Sequence, residues 1–173
     1  MIEDVMMSAG ARIGEIPEAA KGETARGRVL AIDYGRKRIG LALSDELGMT
    51  SQPFAILVRT NRQGDIRRLR AICRANGVTQ IVVGHPVHMS GEAGEMADEA
   101  VRFAARLTKE LGIKVDLMDE RLTSWEAQQM ASEFLAGSRK KRGHLDDVAA
   151  AILLREYLGA KRLLTSSSTK KRS

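Results

Sequence analysis

Hydrophobic residues in this chain recur first with the spacing of strands and later with that of helices. Val29-Leu30-Ala31-Ile32 is a continuous apolar run ending at Asp33, the pattern of a buried strand. Tyr34 to Arg38 is a charged turn, and Ile39 to Ser44 resumes as a second strand in which Gly40 and Ala42 leave little bulk on one face. A further turn at Asp45-Glu46-Leu47-Gly48 leads to a third strand over Gln52 to Val58. Three strands joined by short turns predict an antiparallel meander. The period then lengthens. Ile66, Leu69, Ile72 and Cys73 mark a helix that Asp65 is expected to cap and Asn76-Gly77 to stop. Gln80 to Gly84 reads as a strand. Met96, Ala100, Phe103, Leu107 and Leu111 form a helical stripe over Glu92 to Leu111. Lys114 to Met118 is a strand ending at Asp119-Glu120. Thr123 and Glu126 form a capping box for a helix that Gly137 stops, and Ser138 to Gly143 is a basic loop. A last helix over Leu145 to Leu158 carries Leu145, Val148, Ala149 and Ile152 on one face.

The order β-β-β-α-β-α-β-α predicts one α/β domain, a mixed sheet flanked by helices, with the helix-linked strands parallel. A length of 173 residues fits one such domain. Residues 1–27 read as a flexible extension, because glycines and Pro17 interrupt any period. The domain proper is expected over 28–159. Residues 160–173 are expected to be a basic, disordered tail, Ser/Thr/Lys-rich from Leu164. One cysteine, Cys73, excludes a disulfide framework and a cysteine-based zinc site, and fits a reducing compartment. No apolar run approaches the ~20 residues of a membrane span, and residues 1–11 lack a signal-peptide pattern. A cytoplasmic protein with no membrane partner is the expectation.

The net charge of +6 raises a nucleic-acid partner. Its distribution is −2 over residues 1–27, +3 over 28–159 and +5 over 160–173. Aromatics are only 3%, which argues for recognition of backbone shape over stacked bases.

Three acidic positions stand where chemistry could sit: Asp33 and Asp119-Glu120 at strand ends, and Asp146-Asp147 at a helix start. Carboxylates brought together repel unless a cation joins them. Hard oxygen ligands select Mg²⁺ or Mn²⁺, and one or two such ions can activate water and stabilise the leaving oxygen in phosphodiester cleavage. Each position also has a purely structural reading: a turn aspartate, a surface pair with Arg121, and an acidic first turn that suits the helix dipole. Two basic clusters lie beside these acids in sequence, Arg36-Lys37-Arg38 and Arg139-Lys140-Lys141-Arg142, and suit a phosphate backbone. His85 and His88 form an H-x-x-H pair, but Pro86 between them argues for a loop and no third soft ligand is evident. The chain has no Walker loop, dinucleotide-binding fingerprint or nucleophile elbow.

Four ordered blocks carry a resemblance. Asp33-Tyr34-Gly35-Arg36-Lys37-Arg38-Ile39-Gly40-Leu41-Ala42-Leu43-Ser44-Asp45 resembles the leading motif of the YqgF/RuvX family. Val82-Val83-Gly84-His85-Pro86 followed by Gly91, then Asp119-Glu120-Arg121-Leu122-Thr123-Ser124, then Asp146-Asp147-Val148-Ala149-Ala150-Ala151-Ile152-Leu153-Leu154, resemble its later blocks. The match covers about residues 28–159. The resemblance implies a ribonuclease H-like fold and a nuclease, described as processing the 5′ end of the small-subunit ribosomal RNA precursor (pre-16S) or as a Holliday-junction resolvase. It implies Asp33, Glu120 and Asp146 as catalytic metal ligands for Mg²⁺ or Mn²⁺. Arg36, Lys37 and Arg38 would then position the nucleic acid, with Arg121 a further phosphate contact and Arg139, Lys140, Lys141 and Arg142 a second basic cluster. The family usually has an apolar residue and an Asn where His85 and His88 stand. Resolving a junction symmetrically takes two active sites, so a homodimer goes with that activity.

Two other classes compete. An actin/hexokinase-type phosphotransferase also opens on D-x-G near a hairpin, but needs two such domains around a cleft. A nuclease-like module could bind ribosomal RNA without cutting it, although intact carboxylates lean toward activity.

Overall fold

The computed structural model describes residues 27–85, 94–119 and 145–169, with the side chains of 145–147 and 167–169 outside the description. Five strands and three helices are described: β1 (Arg28–Tyr34), β2 (Arg38–Ser44), β3 (Ser51–Val58), α1 (Arg62–Asn76), β4 (Val78–His85), α2 (Glu95–Leu111), β5 (Lys114–Asp119) and α3 (Leu145–Thr169). The sheet order is β3-β2-β1-β4-β5. The β1–β2 and β2–β3 pairs are antiparallel, whereas β4 joins β1 and β5 joins β4 in parallel. The meander and the parallel helix-linked strands therefore stand as the hydrophobic pattern predicts. The expected capping-box helix after Thr123 and the basic loop 138–143 lie outside the described residues.

Strand alternation sorts the sheet into two faces. One carries Leu30, Ile32, Tyr34, Ile39, Leu41, Leu43, Ile81 and Val83, and it buries Ile66, Leu69 and Cys73 of α1 with Ala100, Phe103, Ala104 and Leu107 of α2. The other carries Val29, Ala31, Ala42, Val82 and Met118, and it is covered by Ala150, Leu153, Leu154, Tyr157 and Leu158 of α3. Small residues dominate the sheet side of this second layer, which lets the helix backbone approach closely.

Two expectations are corrected. Asn61, not Asp65, caps α1: its Oδ1 accepts from the Gly64 amide at 2.8 Å. Asp65 lies inside the first turn, where its carboxylate accepts from the Thr60 amide, from Arg59 and from Arg68. Helix α3 also continues to Thr169, so the expected disordered tail is helical through that residue. Its apolar face ends at Leu158, but polar contacts carry it onward. Lys161 Nζ donates to Gln80 Oε1 at 2.7 Å, and Arg162 Nη1 donates to the Met49 carbonyl at 3.3 Å.

Beneath Lys161 lies a buried polar group that ties α3 to the sheet. The Tyr157 hydroxyl donates to Asp116 Oδ2 at 2.6 Å, and Gln80 Nε2 donates to both partners. Burial, with Asp116 adjacent, pushes the Tyr157 phenol far above its ordinary pKa, so it stays a donor. Burial, reinforced by Lys114, lowers the Lys161 pKa against the pull of Asp116. Tyr157→Phe is expected to cost roughly 1.5–3 kcal/mol, the range for a hydrogen bond to a charged group, because Asp116 loses a buried donor. Urea unfolding with an unchanged m-value would check this.

Candidate active site

Asp33 is the sixth residue of β1 and the first polar one after a run that is buried from Val29 to Ile32. It shares parity with Val29 and Ala31, which places it on the α3 face of the sheet. On β2 its register partner is Gly40. On β4, one step beyond the Ile32↔Val83 pair, stands Gly84, on the same face as Val82. The half-buried Asp33 thus sits at the carboxyl end of β1 with a glycine on each neighbouring strand. No side chain from those two positions fills the space beside it. Gly40 was visible in the sequence as reduced bulk; that Gly84 stands on the other side of Asp33 needs the parallel register of β4.

Of the second acidic block, only Asp119 lies within the described residues. Asp119 pairs with His85 in register, and both follow the odd-numbered residues that line the α1/α2 side. Asp119 is 6% exposed and on the opposite face from Asp33, so the two do not share a site. Met118 is the β5 residue on the Asp33 face. Glu120, Arg121, His88 and the cluster Arg139, Lys140, Lys141 and Arg142 lie outside the described residues. Asp146 falls in the first turn of α3, the helix that packs on Asp33's face, and its side chain is not described. Among the described residues no three His, Cys, Asp or Glu side chains form a metal cluster. His85 is 1% exposed, and its Nδ1 has no hydrogen-bond partner among the described residues. Its burial on the face away from Asp33 removes it from a common site with that carboxylate.

The β1–β2 turn is held rigidly. A Cβ at Gly35 would collide with the Arg38 carbonyl oxygen, so only glycine lets the turn close. Arg36 reaches away from the sheet to α2. Its Nη2 donates to Glu99 Oε1 at 2.8 Å and to Glu95 Oε2 at 3.0 Å, and its Nε to Glu99 at 3.1 Å. These hydrogen bonds raise the Arg36 pKa further, Glu99 contributing most, and Arg36 in turn lowers that of Glu99. Behind them, the Tyr34 hydroxyl donates to Glu99 at 3.3 Å, and Arg59 donates to that hydroxyl at 2.8 Å and to the Gly35 carbonyl at 3.2 Å. The expected nucleic-acid contact Arg36 is therefore committed to two carboxylates, while Lys37 and Arg38 are exposed on the same turn. The sequence signal for this strut was the acidic pair Glu95 and Glu99, one helical turn apart.

Comparison with known proteins places this geometry in a family. Residues 27–160 match the family described as "RuvX: Holliday junction resolvase". A relative from Syntrophus aciditrophicus named "Putative pre-16S rRNA nuclease" is 41% identical over 133 residues, covering 77% of this chain and 89% of its own. One of the same name from Geobacillus kaustophilus is 42% identical over 137 residues, covering 78% and 99%. Among solved structures, Thermus thermophilus RuvC in complex with a Holliday junction substrate superposes with a TM-score of 0.53 at 16% identity, over 79% of this chain and 96% of that one. At that identity the likeness speaks for the fold, the ribonuclease H-like mixed sheet that the resemblance implied. With the family matched across the ordered strands and most of α3, and with relatives near 40% identity over almost their whole length, this chain belongs to the RuvX family.

Proposed function

We propose that this chain is a metal-dependent nuclease that hydrolyses phosphodiester bonds, with the 5′ end of the small-subunit ribosomal RNA precursor as its substrate. The observation that carries the reading is Asp33, a half-buried carboxylate at a strand end with Gly40 and Gly84 on either side. The two glycines place no side chain of their own beside this hard oxygen ligand. Glu120, which the family resemblance names within Asp119-Glu120-Arg121, is the second ligand in this reading. Asp146, in the first turn of α3, is the third. Asp33, Glu120 and Asp146 would hold one or two Mg²⁺ or Mn²⁺ ions, the cations that an all-carboxylate set selects. When bound, such an ion supplies an activated water and neutralises charge on the departing oxygen.

The remaining residues bind and orient. Lys37 and Arg38 face the strand from the β1–β2 turn, while Arg36 fixes that turn to α2. Arg121 and the cluster Arg139 to Arg142 add phosphate contacts. Such contacts set position and carry no sequence information. A cytoplasmic location goes with this reading. Cys73 is a buried thiol whose pKa is pushed up by burial to about 11, so it plays no chemical part.

Cleavage of a four-way DNA junction is the second reading, favoured by the description of the matched family and the fold shared with RuvC. It carries a homodimer with it. A side-by-side assay decides between them: precursor rRNA and a synthetic junction, each with Mg²⁺, Mn²⁺ or chelator. Metal-dependent shortening of the precursor with the junction intact is expected. A cut junction transfers the activity to DNA. Binding of the precursor without cleavage of either substrate overturns the enzyme reading in favour of a ribosomal-RNA-binding module.

A further inference from the structure

The face of the molecule formed by α1 and α2 carries a basic groove that the proposed cleavage site does not use. On α1, Gln63, Arg67, Arg70 and Arg74 follow one another at steps of four, three and four residues, one stripe along the helix. On α2, Glu99, Arg102, Arg106 and Glu110 follow at three, four and four. The two stripes meet at Arg70 and Glu110. Arg70 Nη2 donates to the Glu110 carbonyl at 2.8 Å and approaches its carboxylate at 3.9 Å. Five arginines thus meet two glutamates, and Glu99 is already engaged by Arg36. Arg67 and Arg74 are exposed, and neither has a carboxylate within ion-pair distance among the described residues. Asp65, the only acidic residue of α1, is buried and paired elsewhere.

The groove starts at the edge that holds Asp33. Strand β3 ends at Val58 opposite Arg38, and the Arg59 amide donates to the Lys37 carbonyl at 2.9 Å just before α1 begins. Both helices then run away from that edge, each returning the chain to a strand parallel to β1. Guanidinium groups left without carboxylates along a surface repel one another, and their planar forks match phosphate oxygens. At 1.5 Å per residue, Arg67 and Arg74 stand about 10 Å apart, near the axial length of three phosphate-to-phosphate steps of one strand at about 3.4 Å each.

We infer that the α1/α2 groove is a second phosphate-binding surface, a rail that holds the nucleic-acid segment extending beyond the cleaved bond. The inference rests on the nuclease reading of the Asp33 edge and deepens it.

The test measures binding of a long precursor-RNA fragment to full-length chain in the Asp33→Asn background, with and without Arg67→Gln/Arg74→Gln, across a salt series. Circular dichroism confirms that the double variant is folded, and the variant with lysine at both positions keeps the charge. The glutamine pair is expected to weaken binding about tenfold or more near 100 mM salt and to reduce the salt slope by roughly 1.4–1.8, two phosphate contacts at about 0.7–0.9 each. The lysine pair should retain most of the slope. With Asp33 intact, the glutamine pair should raise KM for the long RNA at unchanged kcat, and leave a short oligonucleotide spanning only the cleaved bond unaffected. Unchanged affinity and slope in a variant that still cleaves overturn the rail and leave the nuclease standing. An equal loss of binding to an acidic polypeptide would make the groove a protein-docking face instead. Wild-type chain that neither binds nor cuts RNA or DNA overturns both readings.

Discussion

Asp33→Asn is expected to reduce cleavage by about a thousandfold or more, while nucleic-acid binding stays within a few-fold of wild type. The replacement keeps the shape of the side chain but turns one acceptor oxygen into an amide donor and removes the negative charge that would hold the cation. Charge stabilisation by a bound ion is worth several kcal/mol in the transition state, and about 4 kcal/mol corresponds to roughly a thousandfold in rate. Affinity resides mainly in the basic residues, so it should persist. Asp119→Asn is the contrast. Asp119 lies on the opposite face, so its neutral variant should cleave within tenfold of wild type. Equal losses in the two variants, measured as single-turnover rates on the same RNA, would sink the assignment of the site to the α3 face.

Replacing Asp65 with alanine should have the largest effect on stability. Its side chain is 2% exposed and is contacted by Arg59 Nε at 3.1 Å, by Arg68 Nη2 at 2.5 Å and by the Thr60 amide at 3.2 Å. Removing one member of a buried ion pair typically costs about 3–5 kcal/mol. Arg59 and Arg68 remain 22% and 38% exposed and can recover some hydration, so about 2–4 kcal/mol is expected here, a fall in Tm of roughly 5–15 °C. Burial alone would raise the Asp65 pKa, but the Thr60 amide, Arg59 and Arg68 outweigh it and the net shift is downward. A carboxylate with a lowered folded pKa contributes stability that is present above its unfolded pKa, about 3.9, and lost as pH falls through the folded value. Wild type should therefore lose stability below about pH 4, and Asp65→Asn should show a shallower acid slope. Thermal melts of both proteins from pH 3 to 7 check the sign.

Much of this architecture can be read without coordinates. The apolar run Val29 to Ile32 needed only its neighbours to mark a strand, and Phe103, Leu107 and Leu111 needed only their spacing to mark a helix. Asp33 stood out as the first polar residue after a buried run, at a position that a turn aspartate also suits. The cap of α1 was misplaced because both Asn61 and Asp65 suit a helix start. The choice depended on two arginines that draw Asp65 inside. The length of α3 was underread for a similar reason: beyond Leu158 the apolar stripe fades, and the helix is sustained by Gln80 and Met49, far away in sequence.

Local periods of two and 3.6 residues by themselves determined the described strands and helices and the α/β class, because each is set by interactions within a few residues. Tertiary structure alone decided which charges meet. Arg36 and Glu99 are separated by 63 positions, and no local rule indicates that the turn arginine is tied to α2 and not left for a phosphate. The strand order 3-2-1-4-5 likewise put Gly84 beside Asp33, and the packing of α1 against α2 brought the α1 arginine stripe to Glu110 through Arg70. The physical reason is the same in each case. A side chain's conformational preference is local, whereas the partner that satisfies its charge or leaves space beside it is chosen by how distant elements pack.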